Sequence, residues 1–150
     1  MSLQKEVMNK MKQAMKAKDT VALQALRAVK SAFLLAKTET GSQEELTEDQ
    51  ELKIIQKQVK QRKDSATIFL KEGREDLAAP ELAEIAILEQ FLPEALTEAE
   101  IEGVVIATID NLNASGMQDM GKVMKVVQKA LAGQAEGKII STLVRKHLMK

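Results

Sequence analysis

Residues 47–73 read TEDQELKIIQKQVKQRKDSATIFLKEG. Thr47 followed three residues later by Gln50 is a capping-box pattern, in which the hydroxyl and the side-chain amide satisfy free N–H groups at a helix start. Leu52, Ile55, Val59, Arg62, Ala66 and Phe69 then recur at alternating spacings of three and four, and Gly73 supplies a left-handed stop. The spacing predicts one long helix whose apolar seam lies along another helix, so the chain reads as all-α. Arg62 falls inside that seam. A guanidinium there is costly unless an acid meets it or the seam opens to a ligand, and an acid of the next helix, Glu81 or Glu84, is the nearest candidate.

The same periodicity extends outward in both directions and gives about seven helices. Upstream, Leu3, Val7, Met11 and Met15 mark a first helix, and Ala22, Leu26, Val29, Phe33 and Ala36 mark a second after Asp19 and Thr20. The polar stretch Thr38 to Glu45, with Gly41, reads as an exposed loop. Downstream, Asp76 is expected to cap a fourth helix with Pro80 still in its first turn and Leu82, Ile85, Leu88 and Leu92 facing inward.

Pro93 ends that helix, and Thr97 with Glu100 opens the next through a second capping box. The expected organisation is therefore a helical N-terminal subdomain, residues 1–93, and a small C-terminal three-helix bundle, residues 94–150. Ile101, Val105, Thr108 and Leu112 set the fifth helix, although Val104 to Ile106 also suits a buried strand; capping and length favour helix. Asn113 to Gly116 is a turn, the sixth helix is expected over Asp119 to Ala132, and Gly133 to Gly137 turns into a seventh ending near Met149.

Composition narrows the function. The 150 residues contain no cysteine, which excludes disulfides and thiolate metal sites, and no apolar run of signal-peptide or membrane-span length, so the cytoplasm is the expected compartment. Phe33, Phe69 and Phe91 are the only aromatics and sit at core spacing, which argues against a single-strand RNA reader that stacks bases on exposed rings. No nucleophile, base and orienting acid can be assembled. His147, the single histidine, reads as a core-boundary residue four places after Leu143. Glu81 with Glu84, and Glu98 with Glu102, are ordinary helix spacings, and Gly116, Gly121, Gly133 and Gly137 lack a phosphate-loop pattern, so no catalytic residue, metal or cofactor is expected. The Met8, Met11, Met15 and Met117, Met120, Met124 rows read first as core and second as an adaptable docking surface.

With 22 basic and 22 acidic residues the chain is neutral, yet the charges are sorted. Residues 75–119 hold eleven acids and no base, whereas residues 120–150 hold seven bases and one acid, Glu136. Lys122, Lys125 and Lys129 form one stripe opposite Val123, Val127 and Leu131; Arg27, Lys30 and Lys37 form another, as do Lys53, Lys57 and Lys60. Such stripes are either solvated helix faces or contacts for a phosphate backbone.

Gln61-Arg62-Lys63-Asp64-Ser65, Gly73-Arg74 with Asp76-Leu77, and Leu92-Pro93 follow the pattern of the GatB/YqeY family. Asp119-Met120-Gly121-Lys122-Val123-Met124 and Gly133-Gln134-Ala135-Glu136-Gly137-Lys138 extend the resemblance over essentially the whole chain. Where the family often has Gly this chain has Lys125, and where it has a basic residue this chain has Gln134, which moves charge from the turn onto the sixth helix. The resemblance implies a module similar to the one by which the amidotransferase B subunit holds tRNA, outside that enzyme's active sites. The expectation is an accessory protein that binds tRNA or another structured RNA, not DNA and not a membrane, by backbone and shape. Lys122, Lys125, Lys129, Lys138, Arg145 and Lys146 are the leading contact residues, with Arg27, Lys30, Lys57, Lys60, Arg62, Lys63 and Arg74 behind them. Two rivals stand beside it. One is a helical adaptor docking on an amidotransferase or synthetase; the other is the carbon–nitrogen ligase activity, with glutamine as nitrogen donor, that the family association suggests.

Overall fold

A computed structural model of the chain describes residues 3–39, 41 and 45–149. All regular structure among them is helical: α1 (Leu3–Ala17), α2 (Thr20–Glu39), α3 (Glu48–Lys71), α4 (Glu75–Glu89), α5 (Glu98–Leu112), a single 3-10 turn at Met117–Asp119, α6 (Met120–Ala130) and α7 (Gly137–Leu148). Val104 to Ile106 lie within α5, so the helix expectation holds over the strand alternative. Of the loop expected between Thr38 and Glu45, residues 40 and 42–44 lie outside the described residues. The helices group into two compact units, Met1–Leu92 and Pro93–Lys150.

In the first unit α3 packs along α4, and α2 lies against α1, α3 and α4. Val7, Ala25, Leu26, Val29, Ile55, Ala78 and Leu88 form the most buried part of this core. The Thr47 capping box is made as expected, with the Gln50 N–H donating to the Thr47 hydroxyl and the Thr47 N–H donating to Gln50 Oε1 at 2.8 Å. Glu51 is buried, and its carboxylate accepts the Gln4 N–H at 3.0 Å, which occupies a free donor in the first turn of α1. Burial pushes the Glu51 carboxyl above its ordinary value, against the opposing effect of that hydrogen bond.

Four local expectations need correction. Asp76 does not cap α4; the helix starts at Glu75 with Arg74 in the cap position and no side-chain cap bond, because the Asp76 carboxylate is held by the Arg74 guanidinium at 3.0 and 3.1 Å. Pro80 consequently stands inside the helix and not in its first turn. Leu82 and Met15 are exposed, and Ala14 takes the buried place on α1 that a strict four-residue repeat assigns to Met15. That repeat drifts by roughly 40° per step on a helix of 3.6 residues per turn, so its fourth member has rotated off the packed face.

In the second unit α5, α6 and α7 pack mutually around Ile101, Val105, Val123, Val127, Leu131, Ile140, Leu143, Val144 and Leu148. Thr97 and Glu100 complete the second capping box, and Asn113 closes α5 in the left-handed conformation with φ 50°. The Leu96 N–H donates to the Gln134 carbonyl at 3.1 Å, and this bond fixes the α6–α7 turn to the segment leading into α5. No helix among the described residues is long and apolar enough to cross a membrane.

Candidate nucleic-acid interface

The inward stripe of α6 is Val123 and Val127, both fully buried, with Leu131 at its end. Helical geometry then forces Lys122, Lys125 and Lys129 outward, and all three are exposed around Val126. On α7 the buried set Ile140, Leu143, Val144 and Leu148 leaves Lys138 and Arg145 exposed, two turns apart on one face. None of these five cations pairs with a carboxylate among the described residues.

Neither α6 nor α7 has an acid in its first turn, and each instead carries a lysine there, Lys122 and Lys138. A cation beside the positive end of a helix dipole is unfavourable by roughly 0.3–1 kcal/mol in isolation. Each of these lysines lies within one turn of an acidic cap residue, Asp119 before α6 and Glu136 before α7, which offsets that cost and lowers the positive field at the helix start.

The other predicted cations sit differently. Lys146 approaches Glu102 of α5 at 3.5 Å, and His147 lies 2.7 Å from the same carboxylate with its side chain 9% exposed. The His147 contact, followed by the charge of Lys146, holds the Glu102 carboxyl below its ordinary value. Lys60 pairs with Asp64, Lys63 with Glu89 at 3.3 Å and Arg74 with Asp76. Arg62 is nearly buried; its Nη1 donates to the Gln58 carbonyl and side-chain oxygen at 3.1 and 2.8 Å, and its Nη2 faces Glu84 at 3.8 Å. An acid of the fourth helix therefore meets it, one of the two outcomes the seam allowed. Arg27, Lys30 and Lys57 are exposed in the first unit without an ion pair among the described residues. Sequence reasoning did not find the Glu102–His147 bridge, because its partners are on helices far apart in the chain.

No group of three or more His, Cys, Asp or Glu side chains among the described residues is placed to hold a metal ion. The methionine rows are split: Met8, Met15 and Met117 are exposed, whereas Met120 and Met124 pack against the second core.

Comparison with known proteins adds three findings. Residues 4–148 match the family profile described as Yqey-like protein. The chain is 31% identical over 128 residues to altered inheritance of mitochondria protein 41, mitochondrial, of Pyrenophora tritici-repentis, covering 83% of this chain and 68% of that protein. It is 38% identical over 60 residues to the E subunit of glutamyl-tRNA(Gln) amidotransferase from Thermococcus gammatolerans, covering 40% of this chain and 10% of that relative.

Proposed function

This chain belongs to the YqeY-like protein family, and from that premise we propose that it is an accessory protein that binds tRNA or another structured RNA through the exposed basic faces of α6 and α7. The observation that carries the reading is the set of five cations, Lys122, Lys125, Lys129, Lys138 and Arg145, exposed and free of carboxylates among the described residues. Charges meant only for solubility are commonly interspersed with acids, as on α3, where Lys60 and Lys63 have partners. Likeness to part of a tRNA amidotransferase supports the same direction. Recognition runs through phosphates and helix shape, since no aromatic ring stands on this face to stack a base. Arg27, Lys30 and Lys57 extend the contact in the first unit, and Lys146 contributes when Glu102 releases it. The partner process is tRNA amidation or aminoacylation. The chain works in the cytoplasm, with a mitochondrial compartment as the rival that the fungal relative's name raises.

Filter binding with bulk tRNA tests this. Lys122, Lys125 and Lys129 changed together to Glu should weaken binding about a hundredfold at physiological salt, from the loss of three phosphate contacts. Unchanged affinity would remove the reading.

A docking role has its own support in Leu34, Leu35, Ile68 and Leu82, which are large apolar side chains exposed on the first unit. Recovery of a specific amidotransferase or synthetase by the tagged protein after nuclease treatment would favour that adaptor reading. Turnover of glutamine, ATP and misacylated tRNA by the purified chain would instead favour a ligase.

A further inference from the structure

The first unit contains a cleft that the phosphate-contact reading does not use. It is an open cleft of about 360 Å³ bordered by α2, α3 and α4, and its walls are three glutamines, Ser65, Arg62, Glu81 and Glu84, with Ala28 the one apolar side chain. A cleft so polar cannot hold a ligand by apolar area; it can do so through charge and hydrogen bonds.

The charges that line it are incompletely matched. Glu84 is 8% exposed, and neither its Oε1 nor Arg62 Nε has a hydrogen-bond partner although both atoms are buried. The two groups approach to 3.8 Å, outside hydrogen-bond range, while Gln58 holds the far side of the guanidinium. A pair serving only to tie α3 to α4 gains most when it is closed and bidentate. This one is open, and a second acid, Glu81, stands at the same cleft. One cation and two carboxylates line the cleft, and the two unpaired atoms lie buried beneath its surface. A simple cation leaves Arg62 unmatched, and a simple anion meets two like charges. A zwitterion with ammonium and carboxylate on one carbon matches both, and the glutamine amides and the Ser65 hydroxyl favour a polar side chain beyond it.

We propose that this cleft binds a free α-amino acid with a polar, uncharged side chain, its carboxylate on Arg62 and its ammonium between Glu84 and Glu81. Small rotations of Arg62 and Glu84 bring the two unpaired atoms to the ligand. The inference is independent of RNA binding, and its test uses no RNA.

The experiment is an NMR titration of the full chain that follows the Arg62 Nε–H resonance, with L-serine and L-glutamine as probes. Ethanolamine and 3-hydroxypropanoate serve as the two single-charge halves of serine, and L-leucine as the apolar zwitterion. At least one of the two polar amino acids should give a saturable shift at Arg62, with each control about tenfold weaker or more. Glu81→Gln, which removes a cleft carboxylate without touching the Arg62–Glu84 pair, should weaken binding by about the same factor. No shift with either polar amino acid up to about 10 mM, above the weakest affinities of interest, would overturn the proposal. So would equal binding of ethanolamine or L-leucine, or a Glu81→Gln chain that binds as the parent does.

Discussion

Replacing Glu84 by Leu should destabilise the first unit by about 3 kcal/mol, while replacing Arg62 by Met and Glu84 by Leu together should leave it unchanged or more stable. Arg62 Nη2 and Glu84 Oε1 are 3.8 Å apart. At an effective dielectric of about 20 that separation corresponds to about 4 kcal/mol of attraction, and removing both charges from water costs several kcal/mol per ion. Burial indeed pushes the Glu84 carboxyl above its ordinary value, and the opposing field of Arg62 does not cancel this. Arg62 Nε and Glu84 Oε1 are also unpaired, at about 1–3 kcal/mol each. These costs outweigh the attraction, so the pair as a whole does not stabilise the fold, but halving it leaves a buried guanidinium whose remaining partner is Gln58. Those two bonds put the single change at the low end of the range for broken buried pairs, about 3–5 kcal/mol. The chain has no Trp or Tyr, so urea unfolding is followed by far-ultraviolet circular dichroism, with stability read from midpoint and slope. A single substitution costing less than about 1 kcal/mol, or a double one as damaging as the single, would show that the pair is not a buried, interdependent one.

Three further outcomes are expected. Thr97→Ala removes the acceptor for the Glu100 N–H and should cost about 1 kcal/mol, seen as faster amide exchange in the first turn of α5 but not of α1. Glu51→Gln keeps an acceptor for the Gln4 N–H without the buried charge. Because the folded value of Glu51 is raised, its contribution is complete below the ordinary carboxylate value and lost as pH rises through the folded one. The variant should therefore match the parent in acid and melt higher at neutral pH; equal melting at both would contradict this. Glu102 has the opposite sign: its folded value is lowered, so its contribution is present above the ordinary value and lost as pH falls through the folded one. Glu102→Gln should melt lower at neutral pH, a difference that closes in acid, with α7 showing the larger change in amide exchange.

Helix positions were legible because this chain signals its helix ends in local chemistry. The two capping boxes at Thr47 and Thr97 form as their spacing predicts. The seams of α3, α6 and α7 follow a near 3.6-residue period that survives packing. Where the reading failed, a neighbour decided. Asp76 has the chemistry of a cap but is drawn to Arg74, and α4 is apolar on so many sides that its packing against α2 and α3, not its period, selects Ile85 over Leu82. The lysine row of α6 is legible for the same reason as its core stripe, since one fixes the other. Which cations are free is not legible from spacing alone. Lys63 meets Glu89 and Lys146 meets Glu102 across helix pairs, contacts that exist only after α3 packs on α4 and α7 on α5.

Five unpaired cations meeting a polyanion should leave their mark on the salt dependence of tRNA affinity. With Lys122, Lys125, Lys129, Lys138 and Arg145 all on phosphate, the logarithm of the association constant should fall against the logarithm of salt with a slope of about −3.5 to −4.5. Replacing the three α6 lysines by Gln should flatten that slope by about 2 to 3. Affinity indifferent to salt, or a slope the substitutions leave unchanged, would contradict the account.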